Sequence, residues 1–185
     1  VTDPVKETTP EAIRLLHDFG IRIIMLTGDN RTTAEAVAAK LSIDEVIADV
    51  LPDGKAEVIR SLQDGGHPVA MAGDGINDAP SLTQANVGIA FGAGTSVAIQ
   101  SSEIVLIKDN PMDVVKVINI SKKTNSKMKQ NLAWATGYNL IAIPVAAGLF
   151  VSYGLTLQPQ WGALLMSASS IIVVANALSL RYARV

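Results

Sequence analysis

Val69-Ala70-Met71-Ala72-Gly73-Asp74-Gly75-Ile76-Asn77-Asp78-Ala79-Pro80 is the stretch on which the fold turns. A short apolar run over 69–72 has the length of a buried strand and breaks at a glycine-flanked acidic loop, after which residues 78–84 read as a helix. A strand that feeds a helix through a polar turn is the half-unit of a parallel sheet, and ligands of such sheets gather at the carboxyl ends of the strands. Asp74, Asn77 and Asp78 therefore stand where chemistry is done. The two carboxylates offer hard oxygen ligands and Asn77 a neutral donor. This set suits Mg²⁺, which keeps several waters and takes its other ligands from phosphate.

The same unit recurs on either side. Residues 10–19 read as a helix and 21–26 as a buried strand, followed by Thr27-Gly28-Asp29-Asn30 and a helix over 31–41. A strand at 46–48, a helix at 53–63, a strand at 87–90, a helix at 95–101 and a strand at 104–107 complete an α/β pattern, a doubly wound parallel sheet covered on both faces. Thr27, Gly28 and Asp29 place a hydroxyl and backbone N–H groups at a helix start, where they suit phosphate oxygens. Lys55, at the start of the intervening helix, supplies a point positive charge for the same anion. Singly, each of these is ordinary turn or cap chemistry. Together, at strand ends, they point to phosphate and magnesium.

Charge divides the 185 residues into two materials. Residues 1–115 hold all 17 acidic and 8 of the 15 basic side chains, Lys116, Lys122, Lys123, Lys127 and Lys129 follow, and the 51 positions 130–180 carry no charge. Arg181 and Arg184 close the chain. The mean hydropathy of +0.32 thus averages an acidic water-facing part with an apolar membrane part. The composition excludes a disulfide scaffold, a disordered chain and a nucleic-acid binder with a strong basic excess; the absence of cysteine removes thiolate ligands from this stretch.

The uncharged tract is interrupted at 151–160, leaving 132–150 and 161–180, each close to the roughly 20 residues needed to span a bilayer. Basic residues precede the first span and follow the second, so both chain ends are expected on the cytoplasmic side. Trp134, Tyr153 and Trp161 fit interfacial anchors. Pro144 is expected to kink the first span, and Gly137 and Gly148 to allow close helix approach. A helix over 112–130 is expected to run directly into that span, linking the parts. Polar residues recur inside the spans, and an Asn there, such as Asn176, needs a partner. Met166 supplies a soft thioether suited to Cu(I), although Met usually packs and Ser usually bonds back to its own helix.

Taken in order, Met25-Leu26-Thr27-Gly28-Asp29-Asn30, Leu51-Pro52-Asp53-Gly54-Lys55 and Gly73-Asp74-Gly75-Ile76-Asn77-Asp78-Ala79-Pro80 resemble the C-terminal half of the phosphorylation domain of P-type ATPases. Tyr138-Asn139 and Met166-Ser167-Ala168-Ser169-Ser170 resemble the last two membrane helices of the copper and silver branch, so the resemblance covers essentially the whole chain. It implies a haloacid-dehalogenase-like fold over 1–115, a basic helical connector over 116–130 and a two-helix transmembrane hairpin over 131–185. It further implies that Thr27 and Lys55 hold a phosphoryl group, with Gly28 and Asp29 beside them. Asp74 would ligate Mg²⁺, and Asn77 and Asp78 would organise phosphate and metal. Tyr138, Asn139, Met166 and Ser170 would contact a transported Cu or Ag ion. ATP, an actuator domain, a nucleotide domain, further membrane helices and a lipid bilayer, that of the plasma (inner) membrane, are the implied partners.

Departures from the family pattern matter as much. No Asp-Lys-Thr-Gly-Thr segment, Thr-Gly-Glu, Cys-Pro-Cys or Cys-Pro-His occurs, and Asp3 resembles a hinge residue rather than the phosphorylated aspartate. This chain alone is expected neither to form an aspartyl phosphate nor to pump. Two further readings stand beside the pump: a haloacid-dehalogenase-type phosphatase acting on small esters, and a non-enzymatic truncated membrane protein that complements or regulates a full pump. His17 and His67 read as surface or turn residues, Gly92-Ala93-Gly94-Thr95 as a turn and N-cap, and the 122–129 lysines as an inner-surface anchor.

Overall fold

The computed structural model describes residues 5–92, 95–154 and 158–182, in two compact units, Val1–Lys116 and Val117–Val185. Asp3, Ala93, Gly94 and Arg184, each named above, lie outside the described residues.

The first unit alternates helix and strand: α1 (Thr9–Asp18), β1 (Ile24–Leu26), α2 (Arg31–Leu41), β2 (Glu45–Ile47), α3 (Lys55–Asp64), β3 (Ala70–Gly73), α4 (Ala79–Gln84), β4 (Val87–Phe91), α5 (Ser96–Gln100) and β5 (Ile104–Leu106). Two helix starts show their local cause. The Asn30 side chain accepts from Thr33 N–H at 2.9 Å ahead of α2, and that of Thr95 accepts from Ala98 N–H at 3.3 Å ahead of α5. Every strand pair is parallel, as helix-connected strands require.

The strands form two ladders rather than a single sheet. Met25 pairs with Val46 in one, while Met71 pairs with Gly88 and Ala90 with Val105 in the other. β1 begins at Ile24, three residues later than the apolar run implies, because Ile23 gives its N–H to the Asp44 carboxylate at 2.7 Å. The core of this unit gathers Ile59, Met71, Leu82, Ala85 and Ala98, with Leu26 and Val69 packed against it. Leu26 thereby brings the end of β1 to the core that underlies β3. Burying a side chain the size of Ile59, Met71 or Leu82 stabilises by about 1.5–3 kcal/mol.

In the second unit, the larger part of α6 (Met112–Ala146) precedes a turn and α7 (Pro159–Leu178). Gly148 does not serve close helix packing. It has φ +81° and accepts the reversal of the chain, its N–H reaching Val145 C=O at 3.1 Å while Leu149 N–H reaches Pro144 C=O at 3.0 Å. Those paired bonds close a helix on a left-handed glycine, so α6 stops at Ala146 and not at Phe150. Gln160–Arg181, with a mean hydropathy of 1.9, is the one helix among the described residues long and apolar enough to cross a membrane. A second is not clearly shown, since α6 is charged over much of its length and ends early.

Candidate functional site

The acidic loop behind β3 is built around Asp78. A single 3-10 turn, Ile76–Asp78, leads into α4, and Asp78 is buried while Asp74 and Asn77 are exposed. Lys55 Nζ donates to Asp78 Oδ1 at 2.7 Å, and Gly75 N–H donates to Asp78 Oδ2 at 3.2 Å. The Lys55 and Asp78 side chains are 17% and 12% exposed, so the pair is shielded from water and its attraction exceeds that of a surface pair. Lys55 reaches this position because the 3-10 turn at Pro52–Gly54 runs directly into α3.

Glycine at 73 is a steric requirement of this arrangement. A Cβ there would lie 2.9 Å from Asp78 Cβ and 3.0 Å from its Cγ and Oδ2. Asp74 is held through its backbone, its C=O accepting from Thr95 N–H at 3.0 Å, which leaves the carboxylate facing solvent. Sequence reasoning missed the roles of Gly73, the Gly75 N–H and Thr95. The signal for Gly73 was its place between strand end and carboxylate; nothing local foretold the others.

Thr27, Gly28 and Asp29 close a turn of their own. Thr27 Oγ1 donates to Asp29 Oδ2 and accepts from Asp29 N–H, each at 3.1 Å. The turn is tied to the exit of β2, with Val50 N–H on Thr27 C=O at 3.1 Å and Asp49 N–H on Asp29 C=O at 3.0 Å. Thr27 is half-buried and Gly28 and Asp29 are exposed. The structure thus links Lys55 directly to the acidic loop, while the Thr27 turn joins them through β1 and the shared core.

No group of three or more His, Asp or Glu side chains that could hold a metal ion occurs among the described residues. The donors present are the exposed Asp74 carboxylate, the Asn77 amide and an Asp78 carboxylate already engaged by Lys55 and Gly75. That set fits Mg²⁺, which is held by one or two carboxylates with water and phosphate completing the shell, and it does not fit an all-protein cage.

Away from this loop, His17 Nε2 lies 2.9 Å from Asp44 Oδ2, which also receives Ile23 N–H. The Asp44 carboxyl is held below its ordinary value by the Ile23 backbone N–H first and the His17 hydrogen bond second.

In the second unit, Tyr138 Oη donates to Gly162 C=O of α7 at 3.4 Å and lines an open groove of about 590 Å³ with Gln130, Ala133, Trp134, Gly137 and Ile141. Asn139, Met166 and Ser170 are exposed. Ser167 and Ser170 return their hydroxyls to Ala163 and Met166 C=O, at 3.0 and 3.1 Å, within their own helix. Asn176 finds its partners on α6, among them Lys127 at 2.8 Å. Lys127 is therefore not only one of a row of surface lysines.

Residues 1–86 match the model of the haloacid dehalogenase-like hydrolases. Over 98% of its length the chain is 56% identical to copper-transporting ATPase 2 of Rhizobium meliloti (strain 1021), and over its whole length 52% identical to the silver exporting P-type ATPase of Salmonella typhimurium. It spans 22% of each of these relatives. A crystal structure of a zinc-transporting PIB-type ATPase in its E2.Pi state superposes on 97% of the chain with a TM-score of 0.85 and 32% identity, the chain covering 28% of that protein.

Proposed function

We propose, from the premise that this chain is homologous over essentially its whole length to copper- and silver-exporting P-type ATPases, that it is the magnesium- and phosphate-handling portion of such a pump together with part of its metal path. The observation that carries the reading is the shielded Lys55–Asp78 pair in the loop that bears the exposed Asp74, with the Thr27 hydroxyl at the end of another strand. Phosphoryl transfer asks a protein mainly to position groups and to neutralise charge.

In this reading Lys55 stands against the phosphoryl oxygens, and Asp78 holds its ammonium in place. Thr27 would turn its one hydroxyl proton from Asp29 Oδ2 to a phosphoryl oxygen, its oxygen still held by Asp29 N–H, and Gly28 lets the backbone approach. Asp74, with Asn77 and Asp78 beside it, is the residue that would hold Mg²⁺. The ion, when bound, supplies charge neutralisation at the phosphate. The aspartate that accepts the phosphoryl group, the nucleotide-binding and actuator domains and the remaining membrane helices would be contributed by segments other than these 185 residues. Residues 1–115 would then be the phosphorylation-domain portion, 116–130 the connector and 131–185 the membrane portion, in the plasma membrane with both ends of this stretch cytoplasmic.

The cargo is Cu(I) or Ag(I). The thioether of Met166 is soft, and no carboxylate or imidazole lies between residues 130 and 180 to prefer a harder ion. Tyr138, Asn139 and Ser170 would complete this chain's share of the path. The test is Met166→Ala in the intact protein that carries these residues. Copper-stimulated ATP turnover should fall while phosphorylation by inorganic phosphate persists; unchanged copper stimulation would remove Met166 from the path.

A further inference from the structure

Asn176 sits at the centre of a polar cluster that joins α7 to α6. Its Oδ1 accepts from Lys127 Nζ at 2.8 Å, and its Nδ2 donates to Asn131 Oδ1 at 2.8 Å and to Gln130 Oε1 at 3.3 Å. Both ends of the amide are used, one of them in a charge-assisted bond, while the Asn176 C=O accepts from Ser179 Oγ at 2.7 Å. A second tie between the helices, Tyr138 Oη to Gly162 C=O, is longer at 3.4 Å. On α7, Gly162, Ser169 and Asn176 are spaced by seven and are all partly buried; on α6, Lys127, Asn131 and Tyr138 lie on one stripe and are partly buried too. These are the facing sides of the pair.

Met166 and Ser170 lie off that face. At 3.6 residues per turn they sit about 80° and about 120° round α7 from Asn176, and both are exposed, Met166 at 67%. Apolar side chains elsewhere on α7 provide no directional contact that would set its rotation. An amide satisfied from three side chains does, because turning α7 would break the part-buried bonds to Lys127 and Asn131 together with the exposed one to Gln130.

We propose that Asn176, with Lys127 and Asn131, is a positioning lock that sets the rotation of α7 and so the direction in which Met166 and Ser170 present their donors. The lock acts through those residues and does not itself touch the ion. It rests on the metal-path reading above, and it pairs Asn176 with Lys127 and Asn131, partners that the sequence does not name for it.

The experiment uses the intact protein in nanodiscs with Cu(I) as the probe. Asn176→Leu should raise the KM for Cu(I) in ATP hydrolysis by about tenfold, in line with residues that orient metal ligands, while phosphorylation by inorganic phosphate is unchanged. Asn176→Asp, which still accepts from Lys127, should restore most of the affinity, and Lys127→Met should shift KM in the same direction as Asn176→Leu but less. An unchanged KM in Asn176→Leu, or a parallel loss of phosphorylation by inorganic phosphate in all three variants, would overturn the lock. A second readout is independent of metal. Alkylation of Met166→Cys, followed by mass spectrometry at that position, should change in rate when Asn176→Leu is added, and an identical rate would also overturn it. If Cu(I) and Ag(I) both fail to stimulate the parent protein, the pump reading fails, and the alkylation rate still decides the lock.

Discussion

Lys55 Nζ meets Asp78 Oδ1 at 2.7 Å, binding the first residue of α3 to the loop that ends β3. The pair spans 23 residues of sequence and is largely shielded, so each member depends on the other to avoid standing as an uncompensated charge.

Removing both members should therefore cost less than the two single removals added together. Asp78→Ala or Lys55→Met alone should lower stability by about 2–3 kcal/mol, allowing for the residual exposure, and the double substitution by less than the sum. Denaturant titration of the detergent-solubilised protein measures this; strictly additive losses would show that the two groups do not act as a pair.

Gly73→Ala tests the steric side of the same arrangement. Its Cβ would meet Asp78 Cβ at 2.9 Å, so either the carboxylate or the strand end must move. The expected outcome is a loss of about 1–3 kcal/mol, as for overpacking elsewhere, together with weakened Mg²⁺-dependent phosphorylation by inorganic phosphate. Parent-like values in both measurements would mean that the loop has room the structure does not show.

The Thr27 hydroxyl is held by Asp29 in both directions. If it stabilises a phosphoryl oxygen, Thr27→Val should slow turnover by about 100-fold, the cost of losing one oriented donor, and Asp29→Asn by less. Phosphoenzyme formation and decay in the intact protein measure this, and a threefold or smaller effect of Thr27→Val would remove the hydroxyl from the site.

Asp44 carries the acid dependence that the structure shows. Its carboxyl is held below the ordinary value of 3.8, chiefly by Ile23 N–H and then by His17. A carboxyl depressed by folding contributes stability that is complete above the unfolded pKa and is lost as pH falls through the folded one. The loss should thus begin below about pH 4, and Asp44→Asn should flatten the acid limb of a stability curve without moving the neutral region. A profile unchanged by Asp44→Asn would mean that the carboxylate is not held in this way.

The alternation of strands and helices was legible because it is written in local periods. Short apolar runs, the caps at Asn30 and Thr95 and the glycines around Asp74 all act within a few residues. The candidate phosphate-handling side chains were legible for the same reason, since strand ends are where such sheets expose polar groups. The end of the first apolar span was not legible. Pro144 and Gly148 both occur in membrane helices, and only the paired bonds at Val145 and Pro144 show that the chain reverses there.

What the sequence by itself determined is therefore the order of elements, the contrast between an acidic stretch over 1–115 and an uncharged tract over 130–180, and the choice of Thr27, Lys55, Asp74, Asn77 and Asp78 as the candidates for chemistry. Period, charge and turn chemistry are properties of neighbouring positions. Only the tertiary structure decided that the strands lie in two ladders, that Lys55 neutralises Asp78, that Gly73 must lack a side chain and that Lys127 reaches Asn176 across 49 positions. Those pairings depend on where packed elements bring distant atoms within about 3 Å, and a charge or an amide does not carry the address of its partner.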